Sequence, residues 1–84
     1  MIIELKEKDG MMLEFLLEKV VGTKYYYSYF PEGNRTAAGL VVIDYDNNLR
    51  KVIKESEEDF ENIYAIHALH GIKRGQTDGT VAWC

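Results

Sequence analysis

Ala38-Gly39-Leu40-Val41-Val42-Ile43-Asp44-Tyr45 is the stretch on which the fold turns. In an extended chain, successive side chains point to opposite faces, so Leu40 and Val42 share one side while Val41, Ile43 and Tyr45 share the other. Apolar groups on both faces are what a strand covered on both sides requires, and the stretch is expected to be a central strand.

On its N-terminal side, Lys24-Tyr25-Tyr26-Tyr27-Ser28-Tyr29-Phe30 is dense in strand-forming residues, and Pro31 closes it. Pro31-Glu32-Gly33-Asn34-Arg35-Thr36 has loop chemistry. On the C-terminal side, Asp46-Asn47-Asn48 tolerates positive backbone dihedrals, and Leu49-Arg50-Lys51-Val52-Ile53-Lys54 returns as another strand. These segments make an antiparallel meander.

Residues 11–21 admit two readings. As a helix they place Glu14 and Glu18 on a polar face opposite Leu13, Leu16, Leu17 and Val20. As a strand they pair with residues 3–7 across a loop at Gly10, with Glu7 opposite Met11, Leu5 opposite Leu13 and Ile3 opposite Phe15. The hairpin register sorts both strands onto matching faces and is the reading adopted.

Ser56-Glu57-Glu58-Asp59 reads as a helix start, with Ser56 as the cap and an acidic first turn at the positive end of the dipole. A helix over about 57–71 follows, its buried stripe expected at Phe60, Ile63, Tyr64, His67 and Gly71, with Gly71 as C-cap. Residues 75–79 are loop-like, and Thr80-Val81-Ala82-Trp83-Cys84 alternates as a short last strand. The fold class is α+β: a single small domain over residues 1–84, with an antiparallel meander sheet of about five to six strands and one α-helix on one face.

Composition bounds the function. A chain of 84 residues buries only about 60–65% of the surface its unfolded form exposes, so self-association is a natural way to cover more. A net charge of −4 argues against a dedicated binder of duplex DNA or anionic membrane, since such binders draw affinity from clustered Lys and Arg. The lone cysteine, Cys84, fits a reducing compartment, and the N-terminal residues lack the apolar core of a signal peptide. A cytoplasmic location is expected.

Three constellations carry chemistry. Tyr25, Tyr27 and Tyr29 share one strand face, opposite Tyr26, Ser28 and Phe30, and a row of large amphipathic rings resembles a protein interface. Aromatic rows also stack single-stranded bases, but without interleaved Arg or Lys nucleic acid is not the expected partner. His67 and His70 stand three residues apart on the predicted helix and could share a metal ion with Cys84, although two imidazoles fall short of a complete site. The competing reading makes His67 a hydrogen-bonded core residue with His70 at the margin. Asp44, Asp46 and Asn48 lack the glycine and terminal glutamate of a calcium loop and read as a turn.

No catalytic residue is assigned: Ser56 is taken as a cap, and Cys84 lacks a frame orienting it toward a histidine. The function expected is therefore a non-enzymatic protein-protein interaction module, a homodimer that could also engage another protein partner. Its surface is expected at Tyr25, Tyr27 and Tyr29 or an unpaired sheet edge, helped by Ala65, Leu69 and Ile72 outside the helix stripe. The alternative is a metal or small-ligand protein using His67, His70 and Cys84. No cofactor is identified.

Overall fold

Among the described residues each alternating run becomes a strand. The computed structural model describes residues 10–83, with β1 at Met11–Val21, β2 at Lys24–Pro31, β3 at Gly39–Asp44, β4 at Leu49–Lys54, α1 at Ile63–Gly71 and β5 at Asp78–Trp83. The strands form one sheet in the order β4-β3-β2-β1-β5, with every pairing antiparallel. The chain meanders from β1 to β4, crosses one sheet face as α1 and returns at the opposite edge as β5. This is the α+β fold that the alternation and the single helical segment imply.

Residues 11–21 are a strand, bent by a bulge between Leu17 and Lys19. The strand expected at residues 3–7 lies outside the described residues. Leu13 to Leu16 pair with β2 on one side and β5 on the other.

β3 is an interior strand, although β2 holds the middle of the sheet. Its Val41 and Ile43 join Leu13, Phe15, Tyr27 and Tyr29 under α1. Complete burial of each large apolar side chain contributes about 1.5–3 kcal/mol, which makes this layer the main source of stability. On the opposite face Val42 and Phe30 are also buried. The Arg35 guanidinium sits 4.3 Å above the Phe30 ring and pairs with Glu14 at 2.9 Å. Lys19 lies 4.8 Å over Tyr26, and Ser28 donates to Glu18 at 2.6 Å. Long charged side chains laid along a sheet cover apolar surface while keeping their heads in water.

The helix begins later than the sequence suggests. Glu61 and Asn62 have φ of 56° and 59°, left-handed values that no α-helix passes through, so α1 starts at Ile63. Ser56 does accept the Glu58 N–H at 3.0 Å, but it caps a turn, and its own hydroxyl donates to the Ala37 carbonyl at 2.5 Å. Asp59 serves the helix instead. Its Oδ1 accepts the Tyr64 N–H at 2.9 Å and its Oδ2 the Ala65 N–H at 3.0 Å, satisfying two otherwise orphaned first-turn donors.

The buried stripe is also rotated from the expected one. Ala65, Ala68 and Leu69 face the sheet, followed by Ile72, whereas Phe60 and Ile63 are exposed. The expected stripe contains His67, and an imidazole facing a tyrosine-lined core would need a partner there. Two alanines let the helix backbone lie close instead. Close approach continues at the C-terminus, where Gly71 is helical rather than a left-handed cap and Ile72 ends the helix by donating to the Ala68 carbonyl. A Cβ on Gly71 would come within 2.5 Å of Val81 Cγ1. Gly39 plays the same part in β3: a Cβ there would stand 2.2 Å from the Tyr29 ring.

Candidate functional site

The tyrosine row lies on the covered face. Tyr27 and Tyr29 are fully buried, Tyr25 is half-buried against the core, and Leu69 and Ile72 are core residues. The surface expected from these five residues is therefore the interior of the fold, because the helix covers the odd-numbered face of β2 and consumes its rings. Neither Tyr27 nor Tyr29 offers a ring face on which a base could stack.

Their hydroxyls do structural work. Tyr27 donates to the Gln76 carbonyl at 2.9 Å, Tyr45 to the Ile72 carbonyl at 2.8 Å, Tyr29 to Asp59 Oδ2 at 2.8 Å and Tyr64 to Glu32 at 2.7 Å. Each bond ties the sheet, or the helix, to a distant connecting segment. Burial pushes Tyr27 up to about 12, reinforced by Tyr45 and Tyr25 nearby. Burial also raises Tyr64 to about 12, with the Glu32 carboxylate adding to it. Tyr29 is raised by burial against the opposing Ser56 N–H, and Tyr45 by burial against Arg50. At neutral pH all four are protonated donors and poor nucleophiles.

Around Tyr29 these bonds form a chain. The Ser56 N–H donates to Tyr29 Oη at 2.9 Å, Tyr29 donates to Asp59, and Asp59 holds the first turn of α1 together with the Phe60 N–H at 2.8 Å. With four donors upon it, the Asp59 carboxylate is a structural acceptor rather than an available base.

His67 and His70 part company. His67 is half-buried on the flank of α1, where its Nδ1 donates to the Ile63 carbonyl at 3.0 Å and its ring stacks on Trp83 at 3.9 Å and 3°. Tyr64 meets the same indole edge-on at 5.4 Å. His70 is exposed. Among the described residues no three His, Cys, Asp or Glu side chains gather as a metal would need, and Cys84 lies outside them. The predicted turn at Asp44 is present: its carboxylate accepts the Asn47 N–H at 3.1 Å, the Asn47 amide at 2.9 Å and the Thr23 hydroxyl at 2.9 Å. The Asn47 amide, with help from Thr23, holds the Asp44 carboxyl below its usual value despite burial.

Among the described residues, large apolar side chains are exposed on β1 (Leu16, Val20, Val21), on β4 (Leu49, Ile53), and on and just before the outer face of α1. Ile63, 38% exposed, and Ile66, 47% exposed, lie one turn apart on α1, and Phe60, 67% exposed, precedes them in the turn that leads into the helix. Glu57, Glu58 and Glu61 are exposed at the N-terminal end of this group, and His70, Lys73 and Arg74 at the other. Of the stripe expected to be buried, Phe60 and Ile63 are exposed, whereas Tyr64, His67 and Gly71 are half-buried on the flank of the helix. The pair of histidines was the available signal, since both lie on or beside the outward side. Among the described residues no helix is long and apolar enough to cross a membrane. No family model matches the chain, and no curated protein or solved structure matches it.

Proposed function

We propose that the chain is a small, non-enzymatic interaction module that self-associates through the outer face of α1. The observation that carries this reading is the exposed group Phe60, Ile63 and Ile66. Isolated apolar residues on a surface are ordinary, but Ile63 and Ile66, one turn apart on α1, follow an exposed aromatic ring at Phe60, and that composition is found at interface centres. The tyrosines support the same reading indirectly. With their rings spent on the core and their hydroxyls on connecting segments, the aromatic chemistry of β2 builds a scaffold rather than a pocket.

The test is solution mass as a function of protein concentration. The parent chain is expected to form a dimer, and Phe60→Ser or Ile66→Ser to weaken it at least about tenfold, the effect of a central contact worth more than 1 kcal/mol. Melting temperature measured at concentrations where the parent is monomeric should change little, because both side chains are exposed in the single chain. A monomer at every accessible concentration, or a dimer indifferent to both substitutions, would overturn the proposal.

A further inference from the structure

The ends of the exposed face carry opposite charge, and this says how two copies meet. Before Ile63 the chain presents Glu57, Glu58 and Glu61, and beyond Ile66 it presents His70, Lys73 and Arg74, all exposed. The Arg74 guanidinium is engaged with Asp46, which leaves Lys73 as the main positive group at that end. Turned by a twofold rotation, such a surface is complementary to itself: acid meets base at both ends and apolar meets apolar between them. A parallel arrangement would instead set acid on acid and base on base.

Resting on the reading above, we infer that the partner of this face is a second copy of the chain, with its α1 antiparallel to the first. The twofold axis passes near Ile66, which brings Glu61 of each copy to Lys73 of the other. Ile63 and Ile66 form the middle of the contact, and Phe60 reaches across to the stretch of the second helix around His70. Antiparallel helices also set their opposite dipole ends side by side. Each copy keeps its sheet on the far side of its helix, so the assembly is layered sheet, helix, helix, sheet.

Charge reversal in two separate chains tests the orientation. Glu61→Lys alone and Lys73→Glu alone each replace two attractive contacts with two repulsive ones, and each is expected to weaken its own dimer about tenfold. Mixing the two variants restores attraction at both contacts, so native mass spectrometry of the mixture should show mainly the mixed dimer, with the preference shrinking as salt is raised. Glu57→Lys serves as a second acidic-end variant in case Glu61→Lys, at a left-handed position, disturbs the turn. A parent dimer with no preference for the mixed pair overturns the antiparallel arrangement while leaving self-association standing. A parent chain that stays monomeric overturns both.

Discussion

Replacing Asp59 with alanine should reveal how the helix is held to the sheet. The substitution removes the acceptor for the Tyr64 and Ala65 N–H groups of the first turn, and it strands the hydroxyl proton of buried Tyr29. Loss of a helix cap costs about 0.5–2 kcal/mol, and a buried donor left unsatisfied about 1–3 kcal/mol. Together they give about 1.5–5 kcal/mol, a fall in melting temperature of about 6–40 °C for a domain of this size. Asp59→Asn keeps one acceptor oxygen, which in the Oδ2 position still serves Tyr29 and the Ala65 N–H while the Tyr64 N–H loses its acceptor, and should cost about half as much. Tyr29→Phe breaks the same chain from the other side, because the Ser56 N–H then loses its acceptor.

The assay is denaturant unfolding followed by the fluorescence of Trp83, the single tryptophan, which packs against the helix through His67 and Tyr64. Residues sharing one hydrogen-bond chain should not behave independently. The double variant Asp59→Ala with Tyr29→Phe should therefore be more stable than the sum of the single losses implies, by about 0.5 kcal/mol or more. An Asp59→Ala protein within about 0.5 kcal/mol of the parent, the range of an indifferent surface change, would refute the reasoning.

Gly39→Ala is expected to cost about 3 kcal/mol or more, because Tyr29 is pinned by Asp59 and Ser56 and cannot yield to a Cβ at 2.2 Å. Gly71→Ala should cost less, since half-buried Val81 can turn aside and alanine favours the helix; thermal melts showing the opposite order would contradict this packing account. Raising pH should also unfold the protein. Unfolded tyrosine ionises near 10, whereas Tyr27 and Tyr64 hold their protons to about 12, so their contribution is complete below about 10 and lost as pH climbs toward 12. Tyrosinate absorbance and helix signal should change together over that window, and free titration near 10 without unfolding would show that these hydroxyls are not held.

Strand positions were legible in the sequence because a two-residue period is a local property. The apolar faces of residues 13–17, 24–30 and 39–45 could be read from alternation, as could the turn at Asp44 to Asn48, whose side chains bond their own backbone. One helix after Ser56 was legible as well, though its start was not. Two left-handed residues at Glu61 and Asn62 delay it, and Asp59 caps it from four residues upstream of its first helical position. Such a cap depends on where Tyr29 holds the carboxylate, and Tyr29 is 30 residues away along the chain.

The candidate surface was misplaced for a related reason. Sequence determined that two rows of rings and two helical stripes existed, because periodicity assigns residues to faces. It could not determine which face of β2 met which stripe of α1, since either pairing buries apolar area. The tertiary structure decided that by fit: Ala65 and Ala68 let the helix lie close over Val41, Ile43, Tyr27 and Tyr29, the tyrosine hydroxyls reached acceptors in the connecting segments, and Phe60, Ile63 and Ile66 were left facing out. Burial needs close packing and a partner for every polar atom at once, and those conditions are met only when distant segments are brought together.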